Sequence, residues 1–553
     1  TNVAAKGSWD YLVLTASNAV QAHAYEIQLG LRRDAGLLPT VHETLVVPDL
    51  EGRRIGSGGS TLCCLVEILR RKSARRRIAP TPAGIREILC GLRILIVHAG
   101  GDSRRLPAYG PCGKIFVPLP GASDSPLPPV LFDRLVPDFL ALPPGLPGSG
   151  QVVVAAGDAL IQFDPCSAAF DQPGLTALGV PASPEEASRH GVFCLAPDGT
   201  VSRYLQKPTI ETQRSAGAVD AHGRTPLDIG VMHMDADTAA ALLSAFGVEC
   251  GGSSLGFTDE ARERMLSHGI DLYREICCGL GSGASLEHYM SSARASGSTW
   301  PPEQLAAVYP ALRRIRFNVE LLPECRFLHF GSTRQLIESG LALLSGEGMP
   351  QSSLLQVNSV VEEGGSITGS ESWIEGCRIA APLTVPSWNV VIGVDVQRPL
   401  TLPPGACLEV LRSGSGEEAW FVRCYGVEDT FKQSILDGAR FCGRPILEWL
   451  NAVGVDPYEI WPGVEDPRRR SLWNARVFPA VNSETGYRDW LWMYAPESAG
   501  EEALRAFRKA KRFSSADIAL LADQAAFHGR RIEIWRRIAA SKKARAEATR
   551  ADA

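Results

Sequence analysis

The stretch Ile94-Leu-Ile-Val-His-Ala-Gly-Gly-Asp-Ser-Arg-Arg-Leu106, followed by Gly113-Lys114, decides the fold of the first part of the chain. Its apolar start predicts a buried strand, and the paired glycines predict a sharp turn after it. Without Cβ atoms, such a turn lets backbone N–H groups approach a phosphate closely. Arg105 can hold phosphate oxygens with its planar guanidinium, and Lys114 adds a second positive charge. The stretch therefore predicts a phosphate-binding turn, the alternative being an ordinary turn with solvated cations.

Further apolar runs alternate with helical patterns along the first third of the chain. Tyr11–Thr15, Thr44–Val47 and Val152–Ala156 are typical of buried strands, and Ser60–Leu69 is typical of a helix. Such strands, separated by helices, indicate a mostly parallel sheet covered on both faces, which binds ligands at the carboxyl ends of its strands. We therefore predict an α/β fold, with a Rossmann-like domain over residues 1–345.

The middle of the chain has a different period. Apolar residues recur at every sixth position, namely Leu355, Val361, Ile367, Trp373, Ile379, Val385 and Val391. A period of six is typical of a parallel β-helix, in which each hexad turns one apolar side chain inward. We expect Ile379 to point inward and Glu375 outward. The pattern predicts a β-helix over 346–412 and a mixed, largely helical region over 413–553, with a chance alignment as the alternative.

Composition limits the classes of function. The chain has 553 residues, which predicts two or three domains, and its net charge of −5 argues against a general nucleic-acid-binding surface. It contains no run of 18 apolar residues that could cross a membrane. Its 14 cysteines include no Cys-x-x-Cys pair. These observations predict a cytoplasmic protein with reduced thiols, rather than disulfides or a zinc site.

A carboxylate follows the predicted strand Val152–Ala156, in the sequence Gly157-Asp158. A hard cation such as Mg²⁺ can bridge phosphates to one or two carboxylates. We therefore predict Asp158 as a metal ligand, the alternative being an aspartate that caps a turn. Asp228 and Asp271 are the options for a second carboxylate.

The string Ala99-Gly-Gly-Asp-Ser-Arg-Arg-Leu106 with Gly113-Lys114 resembles the signature of sugar nucleotidyltransferases. Extended to His98–Tyr109, it resembles the fucose-1-phosphate guanylyltransferase family, also called GDP-fucose pyrophosphorylases. The likeness extends to Arg54–Leu62 upstream and to Ser471–Ala475 downstream. It implies that the chain makes GDP-L-fucose and pyrophosphate from GTP and L-fucose 1-phosphate, with Mg²⁺. It also implies that residues 1–345 form a nucleotidyltransferase catalytic domain. Members of this family occur alone or fused to a fucokinase. We expect a chain without the kinase half, by nature or by truncation, and a covalent fusion to a fucokinase domain in the full-length protein is left open.

The resemblance also implies site residues. Arg105 and Lys114 are the expected catalytic cations. Tyr204-Leu-Gln-Lys207-Pro208 resembles a Glu-Lys-Pro element with glutamine in place of glutamate. This places Lys207 on the sugar phosphate. The expected nucleotide-binding residues are Gly56, Gly58, Gly59, Ser60, Gly100, Gly101, Asp102 and Ser103, and the sugar-phosphate-binding residues are Lys207, Gly230 and Asn318.

Several alternatives stay open at this stage. D-arabinose 1-phosphate differs from the fucose substrate by one methyl group, which is a weak basis for discrimination. A UDP-sugar pyrophosphorylase, or an enzyme that makes another nucleotide sugar, is a second alternative. A non-catalytic regulatory scaffold is a third, disfavoured because Arg105, Lys114 and Asp158 are all present. A homo-oligomer formed through the β-helix or the C-terminal region is left open.

Overall fold

The chain divides into two compact units. The computed structural model describes residues 8–38, 41–76, 81–251, 254–346, 353–414 and 419–551. Unit 1 comprises residues 1–101 and 134–327, and unit 2 comprises residues 102–133 and 328–553. The division passes through the quoted stretch, between Gly101 and Asp102. It also differs from the predicted boundaries at 345 and 412, neither of which separates compact units.

The strands and helices are as follows. In unit 1 the strands are β1 (Trp9–Ala16), β2 (Val41–Pro48), β3 (Arg93–His98), β4 (Gln151–Ala156), β5 (Ala159–Gln162), β6 (Leu175–Ala182), β7 (Gly191–Leu195), β8 (Val201–Gln206), β9 (Thr225–Met234), β10 (Val248–Gly251), β11 (Ser254–Phe257) and β12 (Phe317–Leu321). The helices up to residue 312 are α1 (Ala19–Asp34), α2 (Gly56–Arg76), α3 (Pro82–Cys90), α4 (Leu131–Leu140), α5 (Pro184–Ala187), α6 (Ile210–Ser215), α7 (Ala236–Ala245), α8 (Asp259–His268), α9 (Cys278–Leu280), α10 (Leu286–Ala295) and α11 (Pro302–Leu312). Strand β13 (Arg326–His329) and helix α4 each contain residues of both units along the chain.

The remaining elements belong to unit 2. The strands are β14 (Leu354–Val357), β15 (Val360–Val361), β16 (Ser366–Gly369), β17 (Ser372–Glu375), β18 (Arg378–Ile379), β19 (Pro382–Val385), β20 (Val390–Ile392), β21 (Asp395–Val396), β22 (Leu400–Thr401), β23 (Ala406–Arg412), β24 (Trp420–Gly426), β25 (Arg440–Phe441), β26 (Arg444–Pro445), β27 (Phe478–Val481) and β28 (Arg512–Phe513). The helices are α12 (Thr333–Gly346), α13 (Ile446–Val453), α14 (Pro457–Ile460), α15 (Glu501–Lys509), α16 (Ser515–Leu521) and α17 (Gln524–Ala551).

The main sheet of unit 1 has nine strands and is mixed. Its order is β12-β6-β9-β4-β3-β1-β2, with β7 and β8 attached at β9. Strands β1 to β4 pair in parallel, as their continuous apolar runs predict. Beyond them β12 and β6 also pair in parallel, but β9 runs antiparallel to both β4 and β6. This reversal brings the middle of β9 beside the carboxyl end of β4, where Ala155 pairs with Val231.

The core of unit 1 lies on both faces of this sheet. Leu12, Leu95 and Val153, at the centres of β1, β3 and β4, are completely buried. Burial of each such side chain contributes about 1.5–3 kcal/mol. The buried strands thus form a rigid platform, and the polar residues that follow their carboxyl ends are held in place by it.

In unit 2, three parallel ladders account for the six-residue period. The ladders are β14-β17-β20-β23, β15-β18-β21 and β16-β19-β22, and the chain visits each in turn. Leu355 lies opposite Trp373, and Trp373 lies opposite Val390, so that partners are 17 or 18 positions apart. Three hexads therefore make one turn of the chain. We call residues 354–412 the coil region.

Most of the predicted inward residues are buried, including Ile379. The inward prediction for Val361 is wrong, because 38% of its surface is exposed. Ile367 is half-buried. The outward prediction for Glu375 is also wrong, since its side chain is completely buried and forms an ion pair with Arg531 of α17.

The C-terminal part extends the coil region by antiparallel pairing of β23 with β24, β24 with β27 and β27 with β28. Helix α16 begins with a capping box formed by Ser514 and Asp517. All 14 cysteines are unpaired. Among the described residues, no helix is both long enough and apolar enough to span a bilayer.

Candidate active site

The glycine turn of unit 1 is held from one side by β1. The hydroxyl of Thr15 accepts hydrogen bonds from the N–H groups of Ala99 and Gly100, at 3.1 and 3.2 Å. The hydroxyl of Tyr25 donates to the carbonyl of Ala99 at 2.7 Å. The N–H of Gly100 is therefore already bonded within the protein, and contact of Gly100 with a phosphate stays a prediction.

Gly101 is the residue of the turn that is open to a ligand. Its φ of +125° lies in a region that favours glycine. A Cβ placed on it would have no atom within 4 Å, so the space beside it is empty of protein. Gln21 donates to its carbonyl at 3.1 Å and fixes its orientation. Both glycines of the turn are exposed, and Gly101 is the one beside which the space is empty.

His98, the last residue of β3, lies behind this turn. Its Nε2 is 2.8 Å from the hydroxyl of Thr61 in α2. Burial lowers the pKa of His98 to about 4, although Asp271 and Asp158 oppose the shift. The imidazole is therefore neutral near pH 7, and His98 links the first turns of α2 to the sheet without adding a charge.

Three carboxylates of unit 1 act electrostatically on the same tyrosine. Asp228, Asp271 and Asp158 all raise the pKa of Tyr273, whose burial is the largest cause of the shift. Two of them, Asp271 and Asp158, also act on His98. These are the three carboxylates that the sequence proposed for a metal, and they share one neighbourhood at the end of β4.

Asp271 serves mainly as a helix cap. It precedes the π-helical segment Leu272–Cys277, and its Oδ1 accepts from the N–H groups of Tyr273 and Arg274 at 3.0 and 3.1 Å. The hydroxyl of Ser57 donates to its other oxygen at 3.4 Å. Most of its capacity as an acceptor is therefore used by the backbone of its own segment.

Asp228 is committed to internal hydrogen bonds as well. The hydroxyl of Tyr204 donates to its Oδ2 at 2.8 Å, and the N–H of Gly230 donates to its Oδ1 at 2.7 Å. Burial raises its pKa to about 6. Because the N–H of Gly230 is used in this bond, Gly230 is not positioned to donate it to a sugar phosphate. Its φ of +75° and its close approach to Ala156 account for the glycine.

Asp158 differs from both. It is exposed, directly after β4, and makes no hydrogen bond or ion pair with the residues that the structure describes. No cluster of three or more His, Cys, Asp and Glu side chains among those residues could hold a metal by itself. Mg²⁺ is commonly bound by one or two carboxylates together with substrate phosphates, and an uncommitted aspartate fits that pattern. Its role as a metal ligand stays a prediction.

The glycines at the start of α2 have a packing role. A Cβ on Gly56 would lie 2.3 Å from the carbonyl oxygen of Ile270, and Gly58 also lies against Ile270. The N–H of Gly59 donates to that same carbonyl at 2.9 Å, and the hydroxyl of Ser60 donates to Asp49 at 2.6 Å. Close contact with Ile270 therefore explains Gly56 and Gly58, whereas a Cβ on Gly59 would lie 3.3 Å from Ile55 and Met265. Contact of this segment with a nucleotide stays a prediction.

The two predicted sugar-phosphate residues Lys207 and Asn318 have different surroundings. Lys207 follows β8 with a φ of +50°, and its exposed ammonium forms no ion pair with the described residues. The amide of Asn318 is buried, and it donates to the carbonyls of Pro173 and Leu175 at 3.0 and 3.4 Å. We therefore assign Asn318 a structural role, while Lys207 remains a candidate ligand of an anion.

In unit 2, the two predicted cations converge on one glycine. A Cβ placed on Gly331 would lie 3.8 Å from Nη2 of Arg105 and 3.9 Å from Nζ of Lys114. The carbonyl of Arg105 accepts from the N–H of Thr333 at 3.0 Å, which fixes the loop beside the same segment. An anion placed beside Gly331 would therefore lie within reach of both positive groups. Sequence reasoning missed Gly331, since nothing in its neighbourhood marks it as a partner of residues 105 and 114.

The other predicted residues of this loop have local roles. Ser103 is buried with a φ of +54°, which marks a tight bend. Asp102 forms an ion pair with Arg104 at 2.8 Å, and the Arg104 guanidinium lies 5.8 Å from the centre of the Trp473 ring. Trp473 belongs to the downstream segment Ser471–Ala475, so the two segments that carry the family resemblance meet within unit 2.

A buried ion pair holds the loop at Pro107. Arg423 of β24 is completely buried and bonds both oxygens of Glu409, at 2.6 and 2.7 Å. The same guanidinium donates to the carbonyl of Pro107 at 2.9 Å. A buried charge pair is stabilising only when its remaining donors are satisfied, and here a loop carbonyl satisfies one of them.

A second buried network holds the loop at Tyr109. The indole N–H of Trp373 donates to the Tyr109 hydroxyl at 3.0 Å, and that hydroxyl donates to Glu375 at 3.3 Å. Arg531 completes the network with a hydrogen bond of 2.6 Å to the same Glu375 oxygen. The coil region and α17 thus position the segment between Arg105 and Lys114. We call residues 102–117 the cation loop.

Comparison with known proteins gives one consistent result. A family model described as the fucose pyrophosphorylase domain matches residues 86–483. The chain is 26% identical to a bifunctional fucokinase/GDP-fucose pyrophosphorylase of Arabidopsis thaliana, over 92% of this chain and 50% of that protein. It is 27% identical to a fucose-1-phosphate guanylyltransferase of Mus musculus, over 87% of this chain and 85% of that protein. An L-fucokinase/L-fucose-1-P guanylyltransferase of Bacteroides fragilis is 25% identical, over 89% and 49%. The chain thus spans about half the length of the bifunctional relatives.

Proposed function

The chain belongs to the fucose pyrophosphorylase family, and we propose that it makes GDP-L-fucose and pyrophosphate from GTP and L-fucose 1-phosphate. In this reaction a phosphate oxygen of the sugar phosphate attacks the α-phosphorus of GTP. A new P–O bond forms there, and the bond to the β-phosphate oxygen breaks, so that pyrophosphate leaves with the electron pair. The attacking oxygen is already ionised near pH 7, and no side chain needs to remove a proton from it.

The observation that carries this proposal is the convergence of Arg105 and Lys114 beside Gly331. Phosphoryl transfer depends on positioning and on neutralising charge more than on covalent chemistry. A planar guanidinium and a mobile ammonium directed to one point suit a triphosphate, whose leaving group gains negative charge.

The residues of unit 1 supply the remaining roles in this proposal. The exposed and uncommitted carboxylate of Asp158 binds Mg²⁺, and Lys207 pairs with the phosphate of fucose 1-phosphate. When bound, the metal ion neutralises phosphate charge. Asp228 and Asp271 keep the surroundings of Asp158 in place through Tyr204, Gly230 and the π-helical segment, instead of acting as ligands themselves.

We also propose the finer description of the fold. The parallel strands β1 to β4, with their intervening helices, are a Rossmann-like core. The three ladders of the coil region form a short parallel β-helix, a proposal supported by the register of 17 or 18 positions between partners. Fourteen unpaired cysteines, many of them buried, support a location in the reducing cytoplasm.

A substrate screen tests the proposed function. Purified chain is mixed with GTP, UTP or ATP and with the 1-phosphates of fucose, glucose or N-acetylglucosamine, with Mg²⁺, and released pyrophosphate is measured. We expect GTP with fucose 1-phosphate to give the highest kcat/KM. If UTP with N-acetylglucosamine 1-phosphate were the best pair, the substrate assignment would be wrong, although the reaction type would survive.

A further inference from the structure

A cavity of about 350 Å³ lies within unit 2, between the coil region and α17. Its volume is at the lower end of the range for small-molecule sites, which is about 300–1,000 Å³. The proposed reaction does not use this cavity. It is lined on one side by β20 and β23 and on the other by residues 526–533 of α17.

The side chains that line this cavity include four arginines and three glutamates, namely Arg378, Arg412, Arg530 and Arg531 with Glu409, Glu484 and Glu533. Arg378 and Arg530 share the carboxylate of Asp395, and Arg531 pairs with Glu375. Glu533, which also pairs with Arg378, is more than half exposed and is therefore a weak counter-charge.

One wall offers a cation over an aromatic ring. Arg412 lies with its guanidinium 6.0 Å from the centre of the Trp420 ring, and both residues line the cavity. Arg412 is exposed and forms no ion pair with the residues that the structure describes. A guanidinium beside an indole face is suited to a ligand that carries both a negative charge and a flat ring.

The cavity is directly connected to the cation loop. Arg531 and Glu409 both line it. Arg531 bonds Glu375, which bonds Tyr109, and Glu409 bonds Arg423, which bonds the carbonyl of Pro107. A ligand that shifts either wall residue therefore acts on the loop through two or three direct contacts.

We propose that this cavity binds a small phosphorylated ligand with a flat ring, of nucleoside monophosphate size, and that its binding alters how the cation loop holds GTP. The phosphate lies among the guanidiniums of Arg378, Arg412 and Arg530, and the ring lies against Trp420. The existence of the site is independent of the proposed function, whereas its effect on GTP rests on that function.

Calorimetry on the full chain tests the site, with AMP, GMP and inorganic phosphate as probes. Arg412→Gln removes the uncommitted guanidinium and should weaken binding of AMP or GMP at least tenfold, as expected for a lost charge-assisted hydrogen bond. Arg468→Gln is the matched control, because Arg468 is exposed in unit 2 and does not line the cavity. It should bind as the unmodified chain does. Equal affinities in the unmodified chain and Arg412→Gln, or no binding of any probe, would overturn the site.

The coupling to GTP is tested by binding alone, so that its failure is distinguishable from a lack of activity. Saturating GTP should change the Kd of the probe by about fivefold or more, since coupling between two sites is reciprocal. Tyr109→Phe removes the hydroxyl that links the loop to Glu375 and leaves every cavity residue in place. It should keep the Kd of the probe without GTP and reduce the effect of GTP. An unmodified chain whose probe Kd is the same with and without GTP would refute the coupling.

Discussion

The acidic end of the unit 1 sheet and the cation loop of unit 2 are built in opposite ways. Asp158 follows a buried strand directly, so the chain segment that positions it is also the one that contains it. The cation loop has almost no regular structure of its own, and it is fixed by Glu375, Arg423 and Arg531, all more than 250 positions away in sequence. One site is positioned by local backbone order, and the other by buried charge pairs from a distant part of the chain.

This contrast predicts that single changes far from the cations can disrupt unit 2 severely. Glu375→Lys places a second buried cation beside Arg531 and should lower the free energy of unfolding by about 3–5 kcal/mol or more, measured by urea denaturation. Glu363→Lys, at an exposed position of the coil region, is the control and should cost little. Similar stabilities of the two variants would mean that the Glu375 network does not hold the fold together.

Asp228 in unit 1 should have a smaller effect on the free energy of unfolding, and this effect depends on pH. Burial raises the pKa of Asp228 from 3.8 to about 6, so the folded protein binds a proton more tightly than the unfolded chain does. Its contribution to stability is full below about pH 4 and is lost as the pH rises through 6. The loss is at most about 3 kcal/mol, at 1.36 kcal/mol per pKa unit.

Asp228→Asn should remove this part of the pH dependence, because asparagine can still accept from Gly230 and does not titrate. Between pH 4 and pH 7, the free energy of unfolding measured by urea denaturation should therefore fall less steeply with rising pH for the variant than for the unmodified chain. Asp171→Asn, at an exposed site in unit 1, should leave the curve unchanged. If the curves of unfolding free energy against pH were parallel for Asp228→Asn and the unmodified chain, Asp228 would have the same pKa in the folded and the unfolded chain.

The smallest expected effect is on the Mg²⁺ requirement, and it tests whether Asp158 binds the metal ion. Asp158→Asn should raise the Mg²⁺ concentration for half-maximal pyrophosphate release by about tenfold, equivalent to about 1.4 kcal/mol, and leave the thermal melting temperature unchanged. Asp171→Asn should change neither quantity. If the Mg²⁺ titration of Asp158→Asn matched that of the unmodified chain, the metal ion would be bound by other groups. Asp158 would then have no role that sets it apart from Asp228 and Asp271.

The same contrast explains what the sequence could predict. Strands β1 to β4, the turn after β3, the six-residue period and the capping box at Ser514 depend on local patterns, and local patterns are visible in one chain. The reversal of β9 is not visible, because a strand buried on both faces has the same composition in either direction. Burial of Glu375 and of Asn318 depends on partners supplied by the fold, and a charged or polar residue alone does not reveal them.

The cation loop shows this limit most clearly. Its cations were predicted from the spacing of Arg105 and Lys114 after the glycine turn. Neither Gly331, on which they converge, nor the carbonyl of Pro107, which Arg423 holds, has any pattern of its own. Long-range packing decides which residues support a loop, and only the folded chain contains that information.

If the cation loop binds the triphosphate, loss of one of its cations slows the release of pyrophosphate from GTP and fucose 1-phosphate. The unmodified chain is compared with Lys114→Ala and with Lys432→Ala, an exposed lysine of the same unit. We expect Lys114→Ala to lower turnover by about 100-fold, or about 2.7 kcal/mol, with an unchanged melting temperature and an unaffected Lys432→Ala. A purified Lys114→Ala protein with near-normal turnover would contradict the account.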